Sequence, residues 1–269
     1  MTNFKGKSIY NPSGKAGEYS YWACNFFVGC SNGCTYCYLK KGRGAAILGG
    51  DKPELKKCFR NEAHALEVFE KELLINIEDL RKHGLFFTFT SDPMLDECFD
   101  LTWKSIMLAM ENDVPVKMLT KVVGKWVDQI IDYMHDSWKP LLAIGFTLTG
   151  HDELEPNAST NSERIEAMRE LHEAGFKIFA SIEPVIDFKS SYEMILESYS
   201  YCNLFKIGLL SGQKYPIQQL SYFVTNIENL LKNTGCKVYY KDSVLSQLKL
   251  SREYLKNEIY VNRDYNLFK

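Results

Sequence analysis

No apolar run in the 269 residues reaches the roughly 18 that a membrane-spanning helix requires, so no membrane partner is expected. Cysteine is too sparse for a secreted disulfide scaffold, at eight in the whole chain. No leader with a charged head and an apolar core is legible at the start, which makes a reducing, cytoplasmic compartment the expectation. No Pro-, Gly- or Ser-rich linker interrupts the chain either, and its length suits one large domain. Nor is there a large excess of one charge: the net charge of −2 is unlike that of a dedicated duplex binder.

The near-neutral total hides a polarised chain. Residues 1–60 carry ten Lys/Arg against three acids, residues 232–269 carry eight against four, and residues 61–231 carry fourteen against twenty-seven. If both basic ends lie on one face they would steer a polyanion toward it; otherwise they are solvated lysines.

Hydrophobic residues make up 45% of the chain, enough for a large core, and their spacing alternates between two periods. Strand-like runs occur at Tyr21–Val28, Leu85–Thr90, Val116–Thr120, Leu141–Leu148, Lys177–Ile182 and Leu204–Leu210, with a further candidate at Lys237–Tyr240. Between them lie helical stripes: Leu66, Phe69, Leu73, Ile77 and Leu80, then Trp103, Ile106, Met107 and Met110, then Val127, Ile130, Ile131 and Met134. Thr160 with Glu163 and Ser190 with Glu193 read as capping boxes; Gly175 closes the first of those helices, and Gly84 closes the Leu66 helix. Six βα units predict an α/β protein, a partial (β/α)6 TIM-type barrel with its functional residues at the C-terminal ends of the strands. The expected layout is an N-terminal extension (1–20), the barrel (21–235) and a C-terminal extension closing it (236–269).

Against this background three cysteines stand out. Cys30, Cys34 and Cys37, in GCSNGCTYCY, have C-x3-C-x2-C spacing directly after the first strand. A [4Fe–4S] cube held for electron transfer takes four thiolates, so three leave one iron open to a small molecule. The alternative is zinc, which prefers two separated ligand pairs and would need Cys24, Cys58 or Cys98 as a fourth ligand.

The motif, with Tyr36 before its third cysteine, resembles the signature of the radical SAM superfamily. Within it, NPSGKAGEYSYWACNFFVGCSNGCTYCY, TFTSDPM and LEPNASTNSERIEAMRELHEAGFKIFASIEPVID are similar to segments of the spore photoproduct lyase-like group and its bacterial and phage relatives. The resemblance covers roughly residues 8 to 190; the last third matches only in pattern. It implies a [4Fe–4S] cluster on Cys30, Cys34 and Cys37, S-adenosylmethionine (SAM) on the open iron, and reductive cleavage to a 5′-deoxyadenosyl radical that takes a hydrogen atom from substrate. It also implies a reductant such as a flavodoxin or ferredoxin.

Residue by residue, the resemblance places Tyr36 near the adenine, Ser91 and Asp92 at the methionine moiety, Lys121 at its carboxylate and Thr147 at a Ser/Thr position on strand four. Glu183, a carboxylate among apolar residues at a strand end, needs a partner: a ribose hydroxyl, substrate or a cation such as Lys206. The lyase group's hydrogen-donor cysteine is replaced by Phe89. Cys98 and Cys58 are the remaining candidate donors, against the commoner fate of a lone cysteine as a small buried hydrophobe.

Three functions follow. The first is a radical SAM enzyme acting on a nucleic acid or nucleotide, in keeping with the subgroup and the basic, Tyr-rich ends. The second is a single-cluster enzyme acting on a peptide or metabolite, since Cys202 and Cys236 are too few for an auxiliary cluster. The third is a non-enzymatic module whose fully ligated metal loop serves folding or binding. Oligomeric state has no signature in the sequence.

Overall fold

The apolar runs fold as strands of one sheet because parallel strands covered on both faces need near-continuous hydrophobicity. The computed structural model describes residues 3–42, 44–263 and 265–269. β1 (Ile9–Tyr10), α1 (Gly14–Gly17), β2 (Ala23–Cys24) and β3 (Phe27–Val28) precede the cysteine loop, and α2 (Ala45–Leu48) and β4 (Glu54–Leu55) follow it. Next come α3 (Glu62–Ile75), α4 (Ile77–His83), β5 (Leu85–Phe87), α5 (Asp96–Glu111), β6 (Val116–Thr120) and α6 (Trp126–Tyr133). The last part runs β7 (Leu142–Thr147), α7 (Asn161–Glu173), β8 (Lys177–Val185), α8 (Phe188–Ser198), β9 (Leu204–Leu209), α9 (Ile217–Leu231), β10 (Lys237–Tyr240) and α10 (Asp242–Leu248).

The sheet order is β1-β2-β5-β6-β7-β8-β9-β10, parallel except for β1, while β3 and β4 form a separate antiparallel pair. This is the partial barrel expected, with Lys237–Tyr240 as its seventh parallel strand. Residues 259–261 cover the β10 edge, Val238 N–H donating to Ile259 O and Val261 N–H to Val238 O. Inside the barrel the Phe179 ring lies across Gly145, where a Cβ would fall 2.2 Å from its Cζ. Only glycine lets that ring fill the interior there. No helix among the described residues is long and apolar enough to cross a membrane.

Four expectations are corrected. The run Tyr21–Val28 is two strands, because Asn25 leaves the ladder: its Nδ2 donates to Tyr10 Oη (2.7 Å) and its Oδ1 accepts from Phe89 N–H (2.8 Å). The cysteine loop therefore follows β3 of the small hairpin, not a barrel strand directly. The Leu66 helix breaks at Asn76, whose side chain bonds back to Glu72 O at 2.8 Å, and Gly84 closes the second piece, α4. α8 is capped by Asp187, which accepts from Ser190 N–H at 2.9 Å, so Ser190 lies inside the helix and not at its cap. On α5 the buried stripe is Cys98, Leu101, Thr102, Ser105, Ile106, Ala109 and Met110; Trp103 and Met107 are half-buried flanks. The Thr160–Glu163 capping box is present with both reciprocal bonds.

Candidate active site

The cysteine loop is shaped by its glycines. Gly29, at φ +83°, brings Cys30 under the segment 48–52, where a Cβ would fall 2.2 Å from Lys52 O, and the Cys30 N–H donates to Gly50 O at 3.0 Å. Cys30, Cys34 and Cys37 line a cavity of ≈ 20 Å³ with Asn32, Lys40 and Gly49–Gly50. Burial pushes the Cys30 thiol up to about 12 and raises that of Cys34, so metal binding there must release protons. Soft thiols without a competing carboxylate or imidazole in the lining suit an iron–sulfur cluster. Among the described residues no group of three or more His, Cys, Asp or Glu side chains is placed to hold a single metal ion. A cube takes each thiolate on a different iron, so its ligands need not converge on one point.

Two carboxylates fasten this loop to the barrel. Asp92, buried after β5, accepts from Asn32 Nδ2 (2.8 Å), Lys121 N–H (2.8 Å), Thr120 Oγ1 (2.6 Å) and Met94 N–H (3.1 Å). Both its oxygens are engaged by protein. Glu155, with a fully buried side chain, accepts the Tyr36 hydroxyl and lies 2.7 Å from Arg164 Nη1 and 3.8 Å from Lys121 Nζ. That arginine nitrogen directs one of its two hydrogens to Thr147 O, 2.8 Å away, and makes no hydrogen bond to Glu155 Oε2, so its contact with Glu155 is chiefly one of charge. The same turn holds the loop through Thr35 N–H to Leu154 O (3.0 Å) and Asn157 Nδ2 to Ser31 O (2.9 Å).

In the sequence Glu155 stands only within a family-like segment, and Asn32 and Arg164 are not among the candidate residues. A signal was available. Arg164, Met168 and Leu171 are spaced as one helical face and are all buried, and a charge on an apolar stripe demands a buried partner.

The remaining candidates are spread along the strand ends. Tyr36 and Lys121 meet, with Nζ 5.7 Å from the ring centroid, and Thr147 is buried at the end of β7. Ser91 Oγ lies 3.4 Å from Cys98 Sγ, beneath which α5 packs into the core; burial holds this thiol up to about 12. Cys58 is exposed. Glu183 has the partner its environment required, but it is Lys241, at 2.9 and 2.7 Å, with the Tyr19 hydroxyl donating at 2.6 Å. Lys206 instead donates to Glu18 O and Tyr19 O, both at 3.0 Å. Register explains the exchange: Lys206 pairs with Ser181, one inward position short of Glu183, while Lys241 reaches the level of Gly208. A Cβ on Gly208 would meet Glu183 Cδ at 2.8 Å and Lys241 Cδ at 2.9 Å, so the pair crosses where only glycine fits.

At the outer rim His151 joins the β7 and β8 ends, its Nε2 2.6 Å from Asp187 Oδ2 and its Nδ1 2.7 Å from Glu153 Oε1. Burial alone would depress the imidazole, but the bonds to Asp187 and Glu153 outweigh it and raise its pKa above 6.5. The stabilisation is complete below pH 6.5 and is lost as pH rises through the raised folded value. Asp187 and Glu153 are held below their usual values, so their share is lost only as pH falls through the acid range. Thermal unfolding of wild type and His151→Asn is accordingly expected to differ more at about pH 6 than at about pH 9; an equal difference at both would show that the imidazole is not charged in the fold.

A family model described as the radical SAM superfamily matches residues 24–202. The chain belongs to the radical SAM superfamily. As a radical SAM enzyme it uses a [4Fe–4S] cluster and SAM and needs a reductant. It is 23% identical to an uncharacterised protein of Methanocaldococcus jannaschii over 93% of each chain. Spore photoproduct lyase complexed with dinucleoside spore photoproduct superposes with a TM-score of 0.64 at 16% identity, covering 89% of this chain and 80% of that one. Streptococcus suis SuiB bound to S-adenosylmethionine gives 0.58 at 10%, covering 84% and 51%. These superpositions establish the shared fold of this radical SAM enzyme.

Proposed function

We propose that this radical SAM enzyme acts on a nucleic acid or nucleotide. The observation that carries the reading is that the two basic terminal segments meet at the strand ends: Lys241 Nζ donates to Lys15 O at 3.2 Å, Lys15 reaches Ser211 beyond β9, and Arg252 Nη2 lies 3.6 Å from Glu18. Ser91, Lys121 and Glu183 also stand at this end of the sheet, beside the cysteine loop. Within that contact Lys241 is paired with Glu183 and Arg252 with Asp242, and the exposed Lys15 is the cation left at the barrel mouth to draw in a polyanion. The N-terminal extension (1–20) and the C-terminal one (236–269) would then meet at the mouth of the barrel, contributing its edge strands β1 and β10.

Cys30, Cys34 and Cys37 would hold the cluster, which when bound delivers one electron to the SAM sulfonium and so supplies the 5′-deoxyadenosyl radical. Lys121 would present its ammonium to a carboxylate while Glu155 fixes its direction. Tyr36 would offer its ring edge and backbone to an adenine, Thr147 and Ser91 their hydroxyls. Asp92 would act as a strut between Asn32 and β6, and Glu183 would hold Lys241 and Tyr19 in place inside the barrel. Cys98 remains the candidate hydrogen donor: its S–H would give the hydrogen atom directly to a substrate radical, leaving a thiyl radical for the reductant to return to the thiol, with Ser91 Oγ as its neighbour at 3.4 Å. A flavodoxin or ferredoxin is the reductant that suits a cluster loop bordered by Lys40 and Lys41.

The test is anaerobic reconstitution, reduction with dithionite and chromatography for 5′-deoxyadenosine, with and without single-stranded DNA or RNA. Release is expected to rise on adding nucleic acid. Release that responds to a peptide or metabolite pool and not to any nucleic acid would transfer the enzyme to that substrate class.

A further inference from the structure

A second concavity lies outside the barrel, between α8 and α9, at the same end of the sheet as the cysteine loop. Its volume is ≈ 730 Å³. The floor is aromatic and rigid: Phe188 packs on Tyr215 and Phe223 with ring centroids 5.3 and 5.1 Å apart, and Tyr215 is tied down by its hydroxyl to Val185 O and by its N–H to Gln247 Oε1 at 2.9 Å. One wall carries Tyr222, 69% exposed although it is a large ring beside a groove. The rim carries the amides of Gln213, Gln218, Gln219 and Asn226 and the ammonium groups of Lys189 and Lys214. Its single carboxylate, Asp187, is already spent on His151 and on the α8 N-terminus.

We infer that this groove binds a single-stranded nucleic-acid segment flanking the reacting nucleotide, with Tyr222 as the stacking face and Lys189 and Lys214 on the phosphates. The inference rests on the proposed nucleic-acid reading and deepens it. Aromatic faces accept any base, amide side chains both donate to and accept from base edges, and the rim supplies two cations, Lys214 and the largely exposed Lys189, whose one carboxylate neighbour, Glu193 at 3.8 Å, is a solvated i,i+4 contact that a phosphate can replace. A base drawn out of its stack into the barrel leaves its neighbours unstacked, and a groove at the strand ends gives one of them a new face.

Binding of fluorescein-labelled single-stranded DNA and RNA of about 12 nucleotides, the length one such groove and its surroundings span, is to be followed by anisotropy across a salt series. Tyr222→Ala is expected to weaken binding roughly 5- to 100-fold. Lys189→Gln with Lys214→Gln is expected to lower the slope of log K against log salt by about 1.4. A strand bearing 5-iodouracil is expected to cross-link to Tyr222 in the wild-type protein, a readout that needs no variant to fold. Wild type that binds while all variants match it and cross-links map elsewhere would overturn the groove and leave the nucleic-acid reading standing. Wild type that binds no oligonucleotide even at low salt would overturn both.

Discussion

Cys34→Ala is expected to abolish the cluster and, with it, SAM cleavage. Cys34 is the middle of the three ligands, buried, between Gly33 in the left-handed region and Thr35 bonded to Leu154 O. Two thiolates that remain cannot keep a cube that already lacks its fourth protein ligand. Production of 5′-deoxyadenosine should fall by more than about a thousandfold, because the reaction without the cluster is many orders slower. Iron content after reconstitution and chromatography read the two losses, and far-UV circular dichroism should show the fold intact. Cys58→Ala is the informative control. Cys58 is exposed and Cys24 and Cys98 are core thiols, so neither iron nor activity should change on removing Cys58. Loss of iron in Cys58→Ala would make it a fourth ligand and close the site that SAM needs.

The fold and the site are legible in the sequence where a periodic pattern or a fixed short spacing carries the signal, and not where a single side-chain bond or a distant residue decides. Val116–Thr120 and Lys237–Tyr240 coincide with their strands because a strand buried on both faces announces itself as an apolar run. Asn25, Asn76 and Asp187 each decide a boundary by one or two side-chain bonds to main-chain or phenolic groups, an energy too small to show in periodicity. The cysteine loop was legible because its chemistry needs three thiols at fixed short spacing. Lys241 was not legible as the partner of Glu183, since the two are 58 residues apart and their meeting is set by strand register and by the space above Gly208. Arg164 was legible in principle, as a cation on an apolar stripe. Its partner, Glu155, was visible only as a turn residue.

That pair supports the other large expected effect. Both side chains of Glu155 and Arg164 are fully buried, and each compensates a charge that water cannot reach. Glu155→Leu should therefore cost about 3–5 kcal/mol, leaving the guanidinium beside Thr147 O with no counter-charge, and Arg164→Met should cost a similar amount. Joining the two substitutions should restore much of the loss, because apolar groups of similar volume replace a buried ion pair at little net cost. Denaturant titration of the apoprotein measures all three; a single substitution costing less than about 1 kcal/mol would show that the pair is hydrated and not buried. Stability and site should then separate. Glu155 also orients Tyr36 and Lys121, so the double variant, even if it folds as well as wild type, should retain its iron loop and yet bind SAM poorly, as measured by equilibrium dialysis. A double variant that binds SAM normally would confine Glu155 to holding up the fold, whereas weak binding on a stable scaffold would show that the buried charge exists to aim the residues around it.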